Sequence, residues 1–107
     1  MTPQRLEVWL ARMRIGVSED LRPCVFLGEA SGGLLLAIAL SANLDLCRKE
    51  ADFMIAATHP NFAATGLRRS SYVMEDGLVY IYASQLVKPW GRLEGDLAHA
   101  FEEWLRH

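Results

Sequence analysis

Seven consecutive apolar residues, Leu34 to Leu40, stand between Gly32-Gly33 and Ser41. The run is far shorter than the roughly 20 residues a membrane-spanning helix needs. It reads instead as a strand buried on both faces, entered through the hairpin signal Ala30-Ser31-Gly32-Gly33. The rest of the chain supplies its partners. Leu6 to Ile15 alternates, with Leu6, Val8 and Leu10 facing one way and Trp9, Ala11, Met13 and Ile15 the other. Residues 16–20 read as a polar turn. Arg22 to Leu27 follows as a strand, with Pro23 in the position proline tolerates, a strand start or edge. Ser41 to Lys49 is a loop or a helical turn, and Phe53-Met54-Ile55 a short strand. Thr58 to Gly66 is an excursion rich in turn residues. Arg68 to Met74 and Leu78 to Ala83 read as two strands joined at Glu75-Asp76-Gly77, because Asp and Gly adopt positive φ at little cost.

At the C-terminus the period changes from two to that of a helix. Leu93, Leu97, Ala100, Phe101, Trp104 and Leu105 fall on one stripe, and His99, Glu102 and Glu103 lie mostly off it. Short strands followed by one helix describe a mostly β (α+β) chain, a small barrel or sheet closed by a C-terminal amphipathic helix. At 107 residues the chain is one domain, 1–107, able to bury a core without staples. An apolar fraction of 51% and a charged fraction of 22% argue against disorder. The formal net charge of −2 gives no bulk support for a nucleic-acid partner, yet leaves room for a locally basic groove. Cys24 and Cys47 stand alone in or beside apolar runs and read as small hydrophobes rather than a disulfide or metal site. The opening MTPQRLEVW lacks the apolar stretch of a signal peptide, so a cytoplasmic protein without membrane association is expected.

The chain carries few signs of cofactor chemistry. His59, His99 and His107 have no metal-ligand spacing, and no phosphate-cradling glycine loop or Gly-x-Ser-x-Gly elbow occurs. No metal and no cofactor are therefore expected. What remains are single polar residues at strand boundaries. Arg22 reads as an edge charge or a functional cation. Ser41 reads equally as a turn former or a site residue. Arg68 and Arg69 are a solvated strand end or one wall of a nucleic-acid groove. Asp76 is a turn residue or an acid, and His59, before Pro60, is loop structure or a proton carrier. Trp9 and Trp104 read as core anchors, and Trp90, between Pro89 and Gly91, as more exposed.

The order of several segments resembles the MazF/PemK family of toxin ribonucleases over nearly the whole chain. These are Glu7-Val8-Trp9-Leu10, Arg22-Pro23 before an apolar strand, Leu34 to Ser41, His59-Pro60-Asn61-Phe62 with Thr65-Gly66-Leu67, and Gly91-Arg92-Leu93 before the last helix. No one of these segments is specific; their order and spacing carry the resemblance. It implies an SH3-like barrel with a C-terminal helix, usually a homodimer. It also implies metal-independent cleavage of single-stranded RNA, with a cognate antitoxin protein as partner. On it, Arg22 matches the arginine that stabilises charge growing on phosphorus, a role suited to a planar guanidinium. Ser41 stands at the family's catalytic Thr or Ser. Arg68, Arg69, His59 and Asp76 are the candidate RNA contacts. Two places depart from the pattern. Met74 stands near where some members have a basic residue, and the first loop carries Glu19 and Asp20 in place of basic residues. The same barrel type also occurs in toxins that bind a protein such as gyrase. A non-catalytic module for a protein or nucleic acid is thus the alternative, with Trp104 to His107 as a contact element.

Overall fold

The computed structural model describes residues 2–15 and 17–107. Among them, strands β1 (Glu7–Ile15), β2 (Ser18–Glu29), β3 (Leu34–Ser41), β4 (Phe53–Ile55), β5 (Ser71–Tyr82) and β6 (Leu86–Arg92) precede a single α-helix, α1 (Gly95–Leu105). All pairings are antiparallel, in the order β4-β5-β3-β2-β1-β6. A short link forces this sheet to curl. In a flat sheet β5 and β6 would stand four spacings apart, about 19 Å. The four Cα steps from Tyr82 to Leu86 span at most about 14 Å, and a 3-10 turn over Ala83–Gln85 shortens them further. The sheet therefore bends into a half-barrel.

Alternation in β1 divides the buried residues as the sequence reading expects. Val8 joins Val25, Ile38, Leu40, Ile55 and Val73 on the face that α1 covers with Leu97 and Phe101. Trp9, Ala11 and Met13 join Cys24, Phe26, Ala37, Ala39 and Ile81 on the other face. This second cluster reaches from β5 round to Leu86 of β6, so it fills the inside of the curl, where three alanines suit a narrow space. The helix is fixed by aromatic contacts. Phe101, fully buried, meets Phe53 edge-on at 5.6 Å, and Trp104 lies 5.8 Å from Phe101. The Trp104 indole N–H donates to the Ala51 carbonyl at 2.9 Å. Ala100, placed on the buried stripe by periodicity, is exposed.

Several expectations need correction. Asp76-Gly77 does not turn a hairpin. Residues 71–82 form one strand that runs along β3 throughout, in register Ile38↔Leu78 on one side and Leu40↔Val73 on the other. One residue of β3, Ala39, thus faces four of β5, Met74 to Gly77, a bulge with three extra residues. Three is odd, so the bulge exchanges the faces. Val73 points into the helix-covered core, whereas Ile81 points into the curl. Gly77 permits this, because a Cβ there would sit 2.9 Å from the Met74 Cβ. Arg68 and Arg69 precede β5 rather than opening it. The polar segment 16–20 is partly strand, since β2 begins at Ser18 opposite Ile15; Gly16 and the side chain of Ile15 lie outside the described residues. β6 had no counterpart in the sequence reading. Pro23 sits where β2 pairs with β1 alone, just before its pairing with β3 begins at Cys24, so its missing N–H removes no bond of the β3 ladder.

Both cysteines are free. Burial pushes the Cys24 thiol up to about 12, against a smaller opposing effect of a hydrogen bond from the Trp9 backbone. Cys47 is half-buried on the loop after β3. Titration of the native protein with a thiol reagent near pH 8 is expected to modify Cys47 only, with Cys24 reacting after denaturation. Rapid reaction of both thiols in the native state would contradict this burial.

Candidate functional site

Arg22 and Ser41 come together at one end of the sheet. The β2–β3 ladder ends at Cys24↔Ala39, and each of the two lies two residues further along its strand toward that end. Alternation puts both on the face that lines the curl, with Ala11 opposite Arg22 and Tyr72 opposite Ser41. Among the described residues the Arg22 Nε is buried without a hydrogen-bond partner, and no carboxylate pairs with this guanidinium. A buried donor left unpaired costs about 1–3 kcal/mol unless something else satisfies it. Ser41 has a structural role: its Oγ accepts the Asn43 N–H at 3.1 Å, closing the turn after β3. Its own O–H stays available as a donor.

Two cavities flank this end, one on each side of the sheet. The first, about 270 Å³, is walled by Tyr72, Met74 and Asp76 of β5 and by Leu46, Arg48 and Asp52. It adjoins Ser41 through Tyr72. Its charge is set by a cluster that single-residue reading of the sequence missed. Asp52, its side chain only 2% exposed, accepts the backbone N–H groups of Arg48 and Glu75, each at 2.8 Å, and the Arg48 guanidinium at 3.2 Å. Burial alone would raise the Asp52 carboxyl, but these hydrogen bonds outweigh it and hold the group below the usual carboxylate range. The same guanidinium lies 3.4 Å from Glu75 and 3.5 Å from Asp76. Three carboxylates thus share one cation, and this side is not a phosphate site. Asp76 is exposed and held in the bulge by Arg48 rather than acting in a hairpin turn.

The second cavity, about 200 Å³, opens on the other face. Pro23 and Ala42, the chain neighbours of Arg22 and Ser41, form part of its wall, and Arg68, Arg69, Leu67, Ser71 and Trp90 the rest. Neither Arg68 nor Arg69 makes an ion pair among the described residues. Trp90 is half-buried, packed at the margin of the helix-covered core. The sequence signal for it was its place between a proline and a glycine. Two arginines beside an indole offer charge for a phosphate and a flat surface for a base. The volume is below the about 300–1,000 Å³ of a typical ligand pocket, so it suits a single base or phosphate rather than a larger ligand. His59 lines neither cavity, and its Nδ1 accepts the Asn61 N–H at 3.0 Å within its own loop.

The six sequence candidates therefore separate. Arg22 and Ser41 share a face and an end, Arg68 and Arg69 stand on the opposite side of that end, Asp76 borders the acidic cavity, and His59 stands apart. Among the described residues, no group of three His, Cys, Asp or Glu side chains gathers as metal ligands. Among the same described residues, no helix is long and apolar enough to cross a membrane. No family model matches the chain, and no curated protein matches it either.

Proposed function

We propose that the chain binds single-stranded RNA across the Arg22–Ser41 end of the sheet and cleaves it as a MazF/PemK-like, metal-independent endoribonuclease of SH3-like barrel type. The observation that carries this reading is the pairing of Arg22, whose Nε has no partner among the described residues, with a cavity of two arginines unpaired among those residues and a half-buried tryptophan just over the strand ends. A strand crossing this end would stack a base on Trp90, place phosphates at Arg68 and Arg69, and bring the next phosphodiester to Arg22. There the guanidinium stabilises the charge growing on phosphorus, and the Ser41 hydroxyl donates to a phosphate oxygen. The acidic cavity repels the backbone and favours this path over the opposite one. Asp76, a candidate RNA contact by resemblance, stands on that acidic side and off this path. The reading carries with it a homodimer and a neutralising antitoxin protein in the cytoplasm.

A long single-stranded RNA incubated with the protein in EDTA tests it. Wild-type protein is expected to give discrete fragments, and Arg22→Ala to slow their formation by about 10²-fold or more. Arg68→Ala and Arg69→Ala are expected to weaken binding and lower the slope of log affinity against log salt by about 0.7 each. Absence of cleavage by folded wild-type protein would overturn the ribonuclease reading.

A further inference from the structure

The open edges of this sheet are guarded, with one exception. β4 has only three residues, β6 carries Lys88 and Pro89, and the tip of β1 beyond its pairing with β6 carries Arg12 and Arg14. Short strands, charges and proline are the usual means of preventing edge-to-edge pairing. β5 lacks them. Its ladder with β4 covers residues 71–73 alone, so among the described residues Leu78-Val79-Tyr80-Ile81-Tyr82 pairs only with β3. This stretch has no charge and no proline. Tyr82 reveals which of its backbone groups are free. Its N–H points away from Leu34 and is taken by the Gln85 Oε1 at 2.8 Å, and the Gln85 Nε2 donates in turn to the Arg12 carbonyl of β1 at 2.8 Å, so the edge is closed at this end and its free groups lie toward Leu78. Antiparallel alternation then turns the N–H and C=O groups of Tyr80 and Leu78 outward as well. These same residues are 53% (Leu78), 61% (Tyr80) and 58% (Tyr82) exposed.

We propose that this half of β5 receives an extended segment of a partner protein as an additional strand, and that the segment carries a lysine or arginine near the Leu78 end. The charge around that end selects the cation. A groove of about 560 Å³ opens there, between the sheet and the end of α1, with Ile38, Leu78, Trp104 and Leu105 as its apolar lining and Glu50 and Glu75 among its walls. Glu75 already shares the Arg48 guanidinium with Asp52 and Asp76, so negative charge is left over. An incoming strand gains main-chain hydrogen bonds from Tyr80 and Leu78, alternate apolar contacts with the exposed tyrosines, and a counter-charge at Glu75. Nucleic acid is disfavoured at the same place by these carboxylates. The site lies beyond the bulge from Arg22 and is independent of the RNA reading.

Fluorescence anisotropy with a labelled short peptide of alternating valine and lysine tests the proposal on the full chain. Saturable binding is expected, about tenfold or more tighter than for the same peptide with glutamate in place of lysine. Methylation of the peptide's backbone nitrogens should abolish it, and Tyr80→Lys, at an exposed position, should weaken it at least about tenfold. Glu75→Gln should reduce the preference for lysine while the protein's circular dichroism stays unchanged. No saturable binding, equal binding of the N-methylated peptide, or equal affinity for the glutamate peptide would each overturn the proposal. So would a dimer that Tyr80→Lys converts to monomer, because the edge would then be occupied by a second copy of the chain.

Discussion

Gly91→Ala is expected to destabilise the fold by about 3 kcal/mol, whereas Gly28→Ala stays within about 0.5 kcal/mol of wild type. The contrast comes from what a methyl group meets. At Gly91 it would stand 2.6 Å from the Thr65 carbonyl carbon, and at Gly66 2.6 Å from the Trp90 carbonyl carbon. Around Gly28 nothing lies within 4 Å. The backbone of the 3-10 turn over Ala63–Thr65 thus lies directly on the backbone of β6, with a glycine on each side of the contact. Neither backbone can rotate away as a side chain would. Gly66 has a second requirement, its φ of +75°, which a side chain strains further. A loss of about 3 kcal/mol is a large part of the roughly 5–15 kcal/mol that holds a domain together. Urea melts of the three single variants and of the Gly66→Ala, Gly91→Ala double variant would measure it. Because both methyl groups separate the same two segments, the double variant should lose less than the sum of the singles. Equal midpoints for Gly91→Ala and Gly28→Ala would show that the loop and strand are not in close contact.

This contact also explains why part of the fold was legible in the sequence and part was not. Residues whose conformation is decided by near neighbours were readable. The alternation of Trp9, Ala11 and Met13, the apolar run Leu34 to Leu40 and the helical stripe through Leu97 and Phe101 each follow from local periodicity. β6 was not readable, because Val87-Lys88-Pro89-Trp90-Gly91 has little strand character of its own. It is strand because it closes the far edge against β1 and lies on the 63–66 turn. Asp76-Gly77 failed for a related reason. The dipeptide favours positive φ, but β3 is long enough to pair with both halves of β5, so the ladder carries on across the extra residues. The candidate site was legible as single residues and not as an arrangement. Arg22, Ser41, Arg68 and Arg69 were found one at a time, and nothing local states that Arg22 and Ser41 share a face or that Trp90 joins the arginines. The segments Thr65-Gly66-Leu67 and Gly91-Arg92-Leu93, which carried much of the family resemblance, meet each other here as a packing device. Their residues therefore speak for the fold more directly than for an activity.

Asp52→Asn is expected to lose about 2–3 kcal/mol at pH 7, and this difference from wild type should vanish in acid. Asp52 has no signature in the sequence, yet it joins three pieces of chain: its own position before β4, the Arg48 turn and the bulge of β5 at Glu75. The amide keeps the shape but has one acceptor oxygen where the carboxylate has two, and it leaves at least one of these part-buried N–H groups without its partner. The pH dependence follows from the direction in which the carboxyl is shifted. In the folded chain it is held below its unfolded value, about 3.9. Its stabilising effect is then fully present above that unfolded value and is lost as pH falls through the lower folded one. Thermal melts of wild type and Asp52→Asn should keep a constant separation from pH 7 down to about 5, and converge well below pH 4. A separation that persists unchanged in acid would mean that the carboxylate charge is not what holds the bulge. Identical melts at pH 7 would mean that the bulge does not depend on Asp52 at all. The consequence reaches the candidate site, because the bulge sets Met74 and Asp76 beside Tyr72 and, through Tyr72, beside Ser41. Asp52→Asn should therefore also lower RNA cleavage at temperatures where the variant remains folded, while Arg22→Ala lowers cleavage and leaves the acid limb of stability as it is in wild type.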